Sequence, residues 1–189
     1  CILVERYGYV GGTVSYIQGM IGFRSITGEV VVSGIADEMV EQVKKLGGSE
    51  GHMFDPIAGS VTTLDPEIYR IVMMEMVSNS KTKPLFHSVL TGVLMDGERI
   101  KGVTVHNKSG FENIYADTFV DASGDADLAY AVGADVDKGA REQLQPVSLM
   151  FRMGGFNKEK FTSYIKNHPE ELESAKTWSR GFTQTFFDD

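Results

Sequence analysis

The chain has 189 residues, enough for one ordinary domain or for one domain and the start of another, and its 42% hydrophobic residues can bury a core. Asp and Glu number 26 against 18 Lys and Arg, a formal net charge of -8 that argues against a nucleic-acid groove or an anionic membrane surface as partner. A single cysteine, Cys1, excludes an internal disulfide and any cysteine-rich metal or cluster site within the chain, and suits a cytoplasmic setting.

The first stretch, Cys1-Ile2-Leu3-Val4-Glu5-Arg6-Tyr7-Gly8-Tyr9-Val10-Gly11-Gly12, is a short apolar strand that ends in an acid and breaks into glycines. A strand with Glu or Asp at its carboxyl end is what a dinucleotide-binding βαβ unit offers to a ribose, because the carboxylate accepts hydrogen bonds from sugar hydroxyls. Taken alone, Glu5 reads as a strand-end acid facing solvent. The glycine-rich phosphate turn that such a unit carries roughly 20 residues upstream is absent. Since the chain starts on Cys1 directly in an apolar run, it reads as an excised internal segment, with any targeting signal further upstream left open.

Thr13 to Phe23 is small and apolar, either a run beneath a flat ligand or a glycine-rich buried connection. Ser33 is expected to cap a helix beginning at Gly34, with Ile35, Met39, Val43 and Leu46 on one face, Asp37 and Glu38 early, Lys44 and Lys45 late, and Gly47 closing it. His52 falls in the following loop, Gly51 to Phe54, and is given no role. Asp65 as cap and Pro66 at the first position start a second helix that buries Ile68, Ile71, Val72 and Met76, its methionines filling the core.

Lys83 to Leu90 reads as a strand, and any pairing with the Glu5 strand across so long a crossover is parallel. Three runs at hairpin spacing follow: Gly92 to Met95, Arg99 to Asn107 and Phe111 to Ala116, with turns at Asp96-Gly97 and Lys108-Ser109-Gly110. They predict a β-meander over 92–116. Thr118 to Ala122 then returns as a strand to the parallel sheet, and Leu128 to Val132 is a helix with Asp125 or Asp127 at its start. Pro146 to Met153 is a strand leading away, and Asn157 caps an amphipathic helix containing Phe161, Tyr164 and Ile165. Trp178, Phe182, Phe186 and Phe187 close the chain as aromatics without an evident partner. The expected fold class is α/β: a partial parallel sheet of the Cys1, Pro84 and Thr118 strands, helices on it, the meander, and after a boundary near 140 the start of an antiparallel substrate domain over 141–189.

Five motifs in this order resemble the FAD-dependent oxidoreductases built on the glutathione-reductase type of flavin domain, in the branch related to fumarate-reductase-like flavoproteins. They are Val4-Glu5-Arg6-Tyr7-Gly8 with Gly11-Gly12; Phe86-His87-Ser88-Val89; Gly102-Val103 with Lys108-Ser109-Gly110; Asp121-Ala122-Ser123-Gly124-Asp125-Ala126-Asp127; and Gln145-Pro146 with Leu149-Met150-Phe151-Arg152. The resemblance implies FAD as cofactor, with Glu5 on the adenosine ribose, Arg6 beside the adenine or its ribose, and Gly11-Gly12-Thr13 near the pyrophosphate. It implies that the Val89 backbone meets the adenine edge and that Ala122-Ser123-Gly124 supplies a turn whose small side chains let the cofactor approach. Of Asp125 and Asp127, one caps a helix and the other lies near the cofactor, Asp125 being taken for the latter.

The resemblance further implies redox chemistry by FAD on a small-molecule substrate, a parent protein longer than this chain, and a segment inactive alone. A different class stays open: a non-catalytic α/β nucleotide-binding or interaction module. No residue is assigned to catalysis. A metal site is not expected, since Asp121, Asp125 and Asp127 lack the EF-hand pattern and a nearby His or Cys. Ser15, His87 and Asp121 are rejected as a hydrolase triad, because no G-x-S-x-G elbow surrounds a serine. Arg152 is taken as a partly exposed strand residue. The absent first strand is expected to leave an open sheet edge beside the Glu5 strand, a route to homo-oligomers.

Overall fold

The computed structural model describes residues 1–168 apart from 18, 57, 141–143, 145–148 and 150–153. Its strands are β1 (Ile2–Val4), β2 (Gly19–Ile21), β3 (Gly51–Asp55), β4 (Gly59–Thr63), β5 (Lys83–Leu85), β6 (Val89–Asp96), β7 (Arg99–Asn107) and β8 (Gly110–Tyr115). Its helices are α1 (Ile35–Lys45), α2 (Pro66–Ser78), α3 (Asp127–Ala131) and α4 (Lys158–Asn167). They fall into two compact units, one of Cys1–Val10 with Met76–Ser148 and the other of Gly11–Glu75 with Leu149–Asp189. The fold is mixed α/β, as expected, with one parallel pair of strands and two three-stranded antiparallel sheets.

In the first unit β1 and β5 pair in parallel, Ile2 opposite Lys83 and Val4 opposite Leu85, and among the described residues β1 has no neighbour on its other side. The meander forms as predicted, in the order β6-β7-β8. Two-residue connections set its register, Gly97-Glu98 between Asp96 and Arg99 and Lys108-Ser109 between Asn107 and Gly110. Val103 and Val105, two apart on β7, point to one face and are buried, as the period of a strand requires.

Two expectations for this unit are corrected. The single strand over 83–90 is interrupted: the chain bends at Phe86–Ser88, where His87 has φ 52°, a left-handed conformation no strand accommodates. Thr118 to Ala122 forms no strand, and Val120 is 83% exposed. A short apolar run becomes a strand only against a hydrogen-bonding neighbour, and among the described residues it has none. The parallel sheet therefore has two strands here, without the Thr118 strand.

The second unit holds a sheet in the order β2-β4-β3, both pairings antiparallel. The Gly51 to Phe54 loop is thus corrected to a strand, and part of the Thr13 to Phe23 connection is one too. α1 is confirmed, with its end closed by Gly48 N–H to the Val43 carbonyl at 2.9 Å and Gly47 N–H to the Lys44 carbonyl at 2.9 Å, the paired bonds of a Schellman motif. Its start differs: Gly34, not Ser33, occupies the cap, and no side chain caps it. The buried face is Met39, Val40 and Val43, while Ile35 and Leu46 at the two ends are exposed. Asp65 caps α2 as predicted, its Oδ1 accepting from the N–H groups of Glu67 (2.8 Å) and Ile68 (3.1 Å). The buried stripe of α2 runs through Tyr69 and Val72, with Ile71 exposed.

Asn157 caps α4, accepting from Lys160 N–H at 2.8 Å, and Ile165 is the buried residue of that helix. The strand expected at Pro146 to Met153 with Arg152, and the aromatics Trp178, Phe182, Phe186 and Phe187, lie outside the described residues apart from the isolated Leu149.

Candidate functional site

The carboxyl end of β1 runs into a turn stitched to the bend after β5. Glu5 N–H donates to the Leu85 carbonyl (3.0 Å), Ser88 N–H to the Glu5 carbonyl (3.0 Å) and His87 N–H to the Tyr7 carbonyl (3.2 Å). These bonds bring Glu5 to Ser88, the residue before the sequence-predicted Val89. Ser88 is buried, its hydroxyl donating to the Phe86 carbonyl (3.1 Å) and accepting from Asn107 Nδ2 (3.3 Å), so the bend is anchored to β7. Glu5 is half-buried, and its Oε1 accepts from Tyr7 N–H at 2.8 Å. Its Oε2 has no partner among the described residues. Arg6 is exposed, with its guanidinium 4.7 Å from the centre of the Tyr7 ring, and Tyr7 stacks on Tyr9 at 5.8 Å. Val89 opens β6 opposite His106 and is 48% exposed.

In the same unit Ala122, Ser123, Gly124 and Asp125 form an exposed turn before α3, and α3 packs on β6. The residue that organises it is Asp121, to which no cofactor or capping role was given from sequence. Its Oδ1 accepts from the Ser123 hydroxyl (2.7 Å) and Ser123 N–H (3.0 Å), and its Oδ2 from Ala129 N–H (2.9 Å). These bonds, the Ser123 hydroxyl foremost and then the Ala129 and Ser123 amides, lower its pKa to about 2. Asp127 is the first residue of α3 and donates its N–H to Ser123 Oγ at 2.9 Å, whereas Asp125 makes no hydrogen bond to another described residue. Neither aspartate caps the helix. The signal that could have found Asp121 is the Asp-x-Ser spacing, a pattern that favours side-chain to backbone bonds two residues on.

Gly11, Gly12 and Thr13 belong to the second unit, where Gly12 and Thr13 open a short 3-10 turn through Ser15. Gly11 has φ 118°, and a Cβ there would lie 2.6 Å from Tyr69 Cε1, so only glycine fits. Tyr69 reaches over it from α2 and donates its hydroxyl to the Gly11 carbonyl at 3.3 Å, while burial pushes its pKa up. Arg70 donates to the Ser15 carbonyl at 2.7 Å and pairs with Glu67 at 2.9 Å. Helix α2 thus braces this glycine loop from beneath.

His52 sits on β3 with more around it than a surface histidine. Its Nδ1 is 2.7 Å from Thr62 Oγ1 and its Nε2 3.2 Å from Asp37 Oδ1, and its ring stacks on Phe23 at 4.4 Å. Thr62 is fully buried, so its hydroxyl is closed to any substrate, and the chain of three groups ties α1 to the sheet. Among the described residues there is no group of three or more His, Cys, Asp or Glu placed to hold a metal, and no helix is long and apolar enough to cross a membrane.

A family model described as FAD dependent oxidoreductase matches residues 1–185. Among curated proteins none matches the chain. Of solved structures, one similar to it is BexE, from a study of oxidation during BE-7585A biosynthesis, with a TM-score of 0.52 and 17% identity over 80% of this chain and 33% of that one. A second is THI4 of Thermovibrio ammonificans, with a TM-score of 0.44 and 14% identity over 71% of this chain and 54% of that one. The chain therefore spans a third to about a half of these two structures. The BexE likeness supports the mixed α/β fold.

Proposed function

Because this chain belongs to the FAD-dependent oxidoreductase family, whose cofactor is FAD, we propose that the Glu5 turn holds the adenosine of that cofactor. We propose also that the whole protein moves electrons or hydride between the cofactor and a small-molecule substrate. The observation that carries the reading is the Glu5 carboxylate at the carboxyl end of a parallel strand, with Oε1 fixed by Tyr7 N–H and Oε2 left to accept. A ribose presents two vicinal hydroxyl donors, and a carboxylate held in this way suits them. The residues present fit the adenosine end of the cofactor on that chemistry.

FAD, when bound, supplies the redox chemistry. The chain's own residues bind and orient. Glu5 accepts from the ribose, and Arg6 lays a planar cation beside it. The Val89 backbone offers a polar edge to the adenine. Ala122, Ser123 and Gly124 keep side-chain bulk away from the cofactor, with Asp125 beside them.

Titration of the purified protein with FAD, followed by quenching of flavin fluorescence, tests the reading. Saturable binding is expected, with AMP as a competitor. Glu5→Ala should weaken it by roughly tenfold to a hundredfold, since hydrogen bonds to a charged group contribute about 1.5–3 kcal/mol. Absence of saturation, or equal affinity of the variant, overturns it.

A further inference from the structure

Resting on that reading of Glu5, we propose that His87 is a positioning residue for it, locked in place against Gly8. His87 is a non-glycine residue at φ 52°, a conformation that costs an L-amino acid free energy and persists only where its surroundings over-determine it. Here they do. Its own N–H is tied to the Tyr7 carbonyl, the next N–H to the Glu5 carbonyl, and the next side chain is buried against β7. Such strain gathers where a precise backbone geometry serves a ligand.

The imidazole supplies the second half of the lock. A Cβ on Gly8 would lie 3.0 Å from both Cε1 and Nε2 of His87, so the ring, although His87 is exposed, lies against the bare backbone of the turn and would have to shift for a side chain there. The ring against Gly8 and the bonds at Tyr7 and Glu5 together hold the path of the four residues Glu5 to Gly8. That path is what delivers Tyr7 N–H to Glu5 Oε1 and so sets the direction of the carboxylate. The role is one of position: the ring acts through the turn, and it is Glu5, not His87, that meets the ribose.

Two substitutions separate ring from backbone. His87→Asn keeps a residue that tolerates the left-handed conformation but removes the ring, and Gly8→Ala keeps the ring but denies it its seat. Amide hydrogen exchange is read at Tyr7 and Ser88, with Val103 and Val105 on β7 as internal controls for folding. Exchange at Tyr7 about tenfold faster in both variants, with the β7 amides unchanged, is the expected result. FAD affinity should fall about fivefold in each, and His87→Asn should cost nothing further in a Glu5→Ala background, because it acts through that carboxylate.

Unchanged Tyr7 exchange in His87→Asn overturns the lock. An undiminished effect of His87→Asn in the Glu5→Ala background overturns its action through Glu5. If the unsubstituted protein binds no FAD while Tyr7 exchange still responds, the ribose reading fails and the lock stands, so the two failures are told apart.

Discussion

In the second unit Phe23, Val40, Val43 and Val72 are each at most 1% exposed, and Met39, Val61, Leu64 and Tyr69 lie close behind. Among the described residues of the first unit the buried apolar ones are Val10, Val103 and Val105, and the positions proposed for the cofactor, Glu5, Arg6, Val89 and Ala122 to Asp125, are half-buried or exposed. One unit is held by a core and the other largely by backbone stitches and one well-bonded carboxylate. The difference teaches where each kind of substitution should register. Burial of apolar surface sets stability, whereas binding groups sit at strand ends and turns on the surface, where a ligand can reach them.

The sharpest way to break that division is Phe23→Ala. Phe23 is 1% exposed and stacks on His52, so its loss removes buried area and leaves a cavity. A destabilisation of about 3–5 kcal/mol is expected in denaturant unfolding. FAD affinity, measured well below the melting transition, should be unchanged. Asp65→Ala is the milder test of the same unit. It removes the acceptor of two N–H groups at the start of α2, for a loss of about 1 kcal/mol by the same measurement.

The smallest effect is expected from pH at the Asp121 turn. Its folded pKa of about 2 lies below the ordinary value of 3.8, so its contribution is complete above the ordinary value and is lost as pH falls through about 2. Protection of the Ala129 amide, which donates to Asp121, should fall across that window, and Asp121→Asn should abolish the pH dependence. The group is fully exposed and screened by solvent, which keeps the effect local.

Much of this was legible in the sequence where the signal is local. The Asp96-Gly97 and Lys108-Ser109-Gly110 turns declared the meander, and Asp65-Pro66 and Asn157 declared two helix starts, because each works within a few residues of itself. What depends on a distant partner was not. Gly51 to Asp55 and Gly59 to Thr63 become strands by pairing with each other and with Gly19 to Ile21, and nothing within either run announces that. The converse error at Thr118 to Ala122 has the same root, an apolar run without a neighbour to pair with. Glu5 was legible as a strand-end acid. The convergence of Tyr7, His87 and Ser88 around it was not, because it joins segments about eighty positions apart.

That separation bears on how the molecule forms. Ile2 faces Lys83 across the parallel pair, 81 positions later in the chain. Closing so long a loop in an unfolded chain is entropically costly, although the cost grows only slowly with length, by about 0.6 kcal/mol per doubling. The intervening stretch has contacts of its own: Gly11 is held by Tyr69, 58 residues on, within a unit that has its own core. As that unit condenses, the tether between the two strands shortens from a flexible coil to the few residues on either side of it. The Glu5 turn is then expected to form late, its assembly following that of the core on which it does not itself draw.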